Sequence, residues 1–197
     1  SAAAVKAGDT QDHILCAREA LARFGDEKQN WSILEGVLKS FCLIPFAWTS
    51  EELGKIMQAY DRLNQMEDAA PSKPRNWAVA ALALTDYRLG KYDPALNRLN
   101  QANIRTGRGP SVGRSHALAV MALCYGHSGQ HDAAREALRL SDEAILHLPF
   151  MDTIHLDVWR RNQMYKEAEQ VLETKTQSTL AAGVPSESNF RAKQEST

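Results

Sequence analysis

Residues 79–99 read VAALALTDYRLGKYDPALNRL, and residues 118–138 read LAVMALCYGHSGQHDAAREAL. The two stretches share one frame. Val79, Leu82, Ala83, Gly90, Ala95 and Leu99 answer to Leu118, Met121, Ala122, Gly129, Ala134 and Leu138, each after 39 residues. A fixed period in this range marks one supersecondary unit stacked on its copy. Such a unit cannot bury its apolar face alone, so stacking builds an extended core and an extended surface. The apolar residues in each stretch recur every three or four positions, the period of a helix. Gly90 and Gly129 each break the run and send the chain into a second helix.

Working outward, nearly every segment reads as helix, and no stretch alternates with period two. The first helix starts after Asp9-Thr10, carries Ile14, Leu15, Ala17, Leu21 and Phe24 inward, and stops at Gly25. A second covers about residues 30–43 and ends before Pro45, because a residue preceding proline is pushed out of helical geometry. Thr49-Ser50-Glu51-Glu52 is a capping box for the third, whose Leu53, Ile56, Met57, Tyr60 and Leu63 fall on one face. A linker over residues 68–74 leads into the repeated pairs, where Asp93 and Asp132 are read as the caps of the second helices. A final helix over 152–176 is expected to cap the array, with its polar stretch 160–163 as a point of kinking or division.

The expected architecture is therefore all-α, a right-handed superhelical solenoid of antiparallel helix pairs with about eight helices. One domain spans 10–178, with clear repeats at 76–104 and 113–148 and a degenerate one at 30–67. Residues 1–9 are expected to be a flexible N-terminus and 179–197 a polar tail with Phe190 as its apolar anchor.

Bulk properties narrow the function. The 197 residues suffice for one well-buried domain, and 44% hydrophobic with 24% charged residues is ordinary for a globular chain. Net charge is −1, which argues against a general nucleic-acid binder, since that needs a basic face to displace counterions. The longest apolar run, residues 117–125, is about half of a bilayer crossing, so no membrane insertion is expected. Ser1-Ala2-Ala3-Ala4 lacks both the basic start and the apolar core of a secretory signal. Cys16, Cys42 and Cys124 form neither a disulfide framework nor a metal clip and read as small thiols in a reducing compartment. The cytoplasm is the expected location, subject to any membrane anchor on a parent protein.

The two repeated phrases resemble tetratricopeptide repeats, whose pattern is W-x2-L-G-x2-Y, then A-x3-F, then proline. Ala83, Ala122, Ala95 and Ala134 fill the small positions of that pattern, whereas Asp86 stands where an aromatic belongs. Leu21-Ala22-Arg23-Phe24-Gly25, Cys42-Leu43-Ile44-Pro45, Tyr87-Arg88-Leu89-Gly90 and Glu167-Ala168-Glu169 are also similar, in this order, to the helical-repeat segment of large bacterial serine/threonine protein kinases. That resemblance implies a non-catalytic, regulatory part of a larger signalling protein; no Gly-rich loop, H-R-D or D-F-G signature occurs here.

The resemblance further implies that the first helix of each pair lines a concave groove for a peptide or a partner helix. The groove residues it selects are Trp77, Leu84, Tyr87 and Arg88 in one unit, and His116, Leu123 and His127 in the next. Apolar Ala80, Leu84, Ala119 and Leu123 replace the polar set that clamps a terminal carboxylate in chaperone-binding members of the family. The alternative is a structural spacer or a self-association module, which predicts a homodimer and no external ligand. His127 and His131 have ligand spacing, but Gly129 interrupts their helix, so no metal site is expected. Ser115-His116 and Cys124 fit the repeat as structure, and neither a nucleophile elbow nor a phosphate loop occurs, so no catalytic residue and no cofactor is expected.

Overall fold

In the computed structural model the described residues are 10–25, 30–45, 47–69, 75–106, 111–146 and 154–183. They form eight helices and no strand: α1 (Thr10–Phe24), α2 (Trp31–Cys42), α3 (Ser50–Ala69), α4 (Arg75–Arg88), α5 (Tyr92–Gln101), α6 (Val112–His127), α7 (His131–Glu143) and α8 (Ile154–Gly183).

Local chemistry sets three of the starts. The Asn30 side chain accepts the Ser32 and Ile33 N–H groups at the head of α2. The capping box of α3 closes reciprocally, Thr49 N–H to Glu52 Oε2 at 2.7 Å and Glu52 N–H to Thr49 Oγ1 at 3.2 Å. Burial pushes the Glu52 carboxyl up, but the hydrogen bonds from Thr49 and the Arg18 guanidinium outweigh it and hold it below the ordinary value. Ser111 Oγ accepts the Arg114 N–H and opens α6.

The 39-residue period is written into the backbone. Gly90 (φ 73°) and Gly129 (φ 77°) both adopt the left-handed conformation. Gly90 N–H bonds Tyr87 O and Lys91 N–H bonds Asp86 O; Gly129 N–H bonds Gly126 O and Gln130 N–H bonds Tyr125 O. Each turn is thus a Schellman motif that satisfies the last carbonyls of its helix. The caps of the second helices differ from expectation. Lys91 and Gln130 hold the N-cap positions and neither makes a side-chain cap, while Asp93 and Asp132 lie inside the first turn. There a carboxylate faces the positive end of the helix dipole instead of bonding a cap N–H.

Two rows of helices result. In one row α2 packs on α4, α4 on α6 and α6 on α8. In the other, α3 rests on α2 and α4, α5 on α4 and α6, and α7 on α6 and α8, while α1 covers α2 and α3. Helices of the first row are walled in on several sides, so α6 is buried from Val112 to Gly126. α4 serves two cores at once. Its Ala78, Ala81 and Leu82 join Phe41, Ile56 and Leu63, while its Val79, Ala83 and Leu84 join Leu118, Met121 and Leu138. A helix buried on two sides needs no polar stripe, which is why α4 and α6 read as apolar nearly all round. The four small positions Ala83, Ala95, Ala122 and Ala134 are fully buried.

The first helix buries only part of its apolar set. Leu15 and Phe24 are exposed, 60% and 43%, while His13, Ile14, Ala17 and Leu21 form the buried stripe of α1. Among the described residues this helix packs on α2 and α3 alone, and Leu15 and Phe24 fall at the margins of that contact. At the other end α8 runs unbroken through 160–163 and continues past 176 to Gly183. Residues 1–9 and 184–197, with Phe190, lie outside the described residues.

Candidate functional site

The residues selected for a groove are brought together in space, but not as a groove. Equivalent positions of the two units face each other. Trp77 and His116 rings lie 5.2 Å apart, and Leu84 and Leu123 share one core cluster. Tyr87 and His127 rings are 5.4 Å apart, and Tyr92 stacks on His127 at 5.1 Å. Leu84, His116 and Leu123 are 0–1% exposed, and Tyr87 is 5% exposed. Trp77 and His127 are half-buried. The reason is α8, which packs along α6 and covers the face the sequence leaves open. Gly126 permits the approach, since a Cβ there would stand 3.0 Å from Val171 Cγ1. Gly113 does the same for α4, because a Cβ would meet the Trp77 indole at 3.1 Å.

Arg88 is part of this closure. Its Nε donates to Cys42 O at 2.6 Å and its Nη2 to Leu43 O at 2.9 Å, which satisfies the last carbonyls of α2. The same guanidinium meets both carboxylate oxygens of Glu167 on α8, and Tyr87 Oη donates to Glu167 Oε1 at 2.9 Å. One arginine thereby ties α2, α4 and α8 together. Burial and the neighbouring Glu167 carboxylate both push the Tyr87 phenol up, so it stays a donor.

Two serines and Arg161 in this region are also committed to packing. Ser115 Oγ donates to Ser141 O at 2.8 Å, Ser141 Oγ returns to Ser115 O at 2.9 Å, and Arg161 Nε donates to Ser141 Oγ. Arg161 and Tyr165 of α8 then both bond Asp142 of α7. His116 Nδ1 lies 2.9 Å from Val112 O, so that nitrogen carries the proton, and Nε2 is buried without a hydrogen-bond partner. Burial, with the Lys39 charge second, lowers His116 to about 3. Burial likewise raises Cys42 to about 11 and Cys124 to about 12, so both remain thiols. These groups are poor nucleophiles and bases near neutral pH.

Asp86, the departure from the repeat pattern, has a structural explanation. Tyr60 Oη of α3 donates to both carboxylate oxygens at 3.0–3.1 Å, and Arg98 Nη2 of α5 donates to Tyr60 Oη at 2.7 Å. Burial nevertheless holds the carboxyl above its ordinary value.

One concave surface was not foreseen. α3 and α5 each pack along the helix that follows, but α7 touches α8 only briefly. The cleft between them has a volume of about 640 Å³. Leu138, Leu172 and Tyr165 form its floor, Arg135 and Arg139 stand on the α7 side, and Glu169 and Glu173 on the α8 side. The sequence carries a faint trace of it. Both walls hold like charges at i and i+4, an arrangement that destabilises an isolated helix.

Among the described residues no group of three or more His, Cys, Asp or Glu is placed to hold a metal ion. Likewise no helix among them is long and apolar enough to cross a membrane. Comparison with protein-family models, with curated proteins and with solved structures finds no match to this chain.

Proposed function

We propose that this chain is a non-catalytic, tetratricopeptide-like solenoid that serves as a protein-interaction scaffold, the regulatory region of a larger signalling protein. Its ligand is a helix or peptide of another protein. The observation that carries this reading is the treatment of α8. The row formed by α2, α4 and α6 receives a helix at one close-approach glycine, Gly126, and fixes it with side chains from Tyr87 and Arg88. Surfaces built to seat one helix on another are what repeat scaffolds use for recognition. Burial holds His116, Cys42 and Cys124 neutral and the Ser115/Ser141 hydroxyls bond each other's backbone, which favours binding over chemistry.

The test is selection of helical peptides from a displayed library against the full chain, with sedimentation run in parallel. Recovery of peptides that bind a monomeric chain supports the scaffold. Recovery of none, with a concentration-dependent dimer, favours the self-association alternative, for which exposed Leu15 and Phe24 on α1 would supply apolar contact. Variants at Tyr87 or Arg88 are unsuitable probes of ligand binding, because those side chains hold α8 itself.

A further inference from the structure

The inner face is occupied by α8, so an external ligand needs another seat. We infer that the α7/α8 cleft is that seat, and that it takes a short amphipathic helix of a second protein with acidic side chains along one edge and basic ones along the other. The inference rests on the scaffold reading and names its site.

Packing geometry supplies the first argument. α3 and α5 each pack along the helix that follows; α7 touches α8 only briefly and about 640 Å³ lies between the two. Tyr165 to Glu173 spans about 12 Å of helix axis at 1.5 Å per residue, the length of two to three turns of an occupant. The floor is apolar, from Leu138 and Leu172, and Tyr165 is fixed at one end by its bond to Asp142.

Charge supplies the second. Glu169 and Glu173 stand exposed one turn apart on α8. Arg135 and Arg139 stand one turn apart on α7, 58% and 53% exposed. The arginines bond Asp132, Glu136 and Glu143 along their own helix, exposed pairs that are weak and readily exchanged. An occupant with lysines toward α8 would relieve the Glu169/Glu173 repulsion, and carboxylates toward α7 would exchange into the exposed pairs of Arg135 and Arg139. A helix basic on both edges would meet Arg135 and Arg139, and one acidic on both edges would meet Glu169 and Glu173.

The test uses the full chain and three labelled 14-residue helical peptides that share one leucine stripe. Their edges are Lys/Glu, Lys/Lys and Glu/Glu. The Lys/Glu peptide should bind at least tenfold more tightly than either of the others. In the Glu169→Lys/Glu173→Lys variant, whose substitutions are exposed and should leave helicity unchanged, preference should pass to Glu/Glu by a further tenfold. Equal affinities, or a ranking indifferent to the wall reversal, would overturn the inference. So would binding seen only after deletion of residues 184–197, which would give the cleft to the chain's own C-terminus, or a dimer dissolved by the reversal, which would give it to a second copy. Library peptides that bind wild type and variant alike would sink the cleft and leave the scaffold standing; an empty selection would sink both.

Discussion

Arg88 and Glu167 form a bidentate ion pair across 79 residues of sequence, with Nη2 to Oε2 at 2.7 Å, and the arginine side chain is only 6% exposed. Removing one partner from such a pair strands a buried charge. Glu167→Ala should therefore lower the unfolding free energy by about 3 kcal/mol. Replacing both, in Arg88→Met/Glu167→Leu, should recover part of that loss. Urea denaturation of the three proteins decides it, and a double variant no better than the single one would refute the account.

His116 makes stability depend on pH. Its folded value of about 3 lies below the ordinary 6.5, because burial and nearby Lys39 disfavour the cation. The unfolded chain takes up a proton below 6.5 that the folded chain refuses. This contribution is complete above 6.5 and is lost as pH falls, by about 1.4 kcal/mol per unit. His116→Leu should remove that slope, so it gains on wild type between pH 6.5 and 5. Parallel slopes in thermal melts would contradict it.

The two Schellman turns predict a matched pair of costs. Gly90→Ala and Gly129→Ala each force a side chain into the left-handed region, at φ 73° and 77°, with open space around the added methyl. Each should cost about 1 kcal/mol from backbone strain alone. The two losses should be alike and should add, since the turns make the same bonds 39 residues apart. Calorimetry on the single and double variants measures both.

At Gly126 the obstacle is a neighbour. A valine there would press on Val171, so Gly126→Val should destabilise by about 2 kcal/mol through overpacking. Amide exchange should quicken first in α8, the helix displaced.

Tyr60→Phe removes the donor that serves both oxygens of buried Asp86. A loss of about 2 kcal/mol is expected, typical of a hydrogen bond to a charged group. Asp86→Asn in the same background should recover much of it, because a neutral amide is less costly to bury.

Much of the fold was legible because its signals are local. Asn30, the Thr49/Glu52 box, Gly90 and Gly129 act on backbone within a few residues of themselves, and each marks a helix end in the structure. The candidate site was harder. Periodicity placed Trp77, Leu84, Tyr87 and Arg88 on one face with His116, Leu123 and His127, and the structure does bring these together. Whether that face meets water or α8 depends on a helix that begins 27 residues after α6 ends, and no local pattern records such a contact. Glu167 gives no hint in sequence that it belongs to Arg88. The cleft depends on how little α7 and α8 touch, and only its like-charge pairs leave a trace.

The reach of α8 has a consequence for how the molecule comes apart. In a row of helices that touch only their neighbours, the end members fray while the middle persists. Here Glu167 is bonded to Arg88 on α4, and Arg160 lies 3.4 Å from Ser40 Oγ on α2, so the terminal helix is laced past its neighbour to the interior. Opening the C-terminal end must also break bonds two and three helices inward. Unfolding should then proceed as one cooperative event across α2, α4, α6 and α8, rather than unit by unit from the edge.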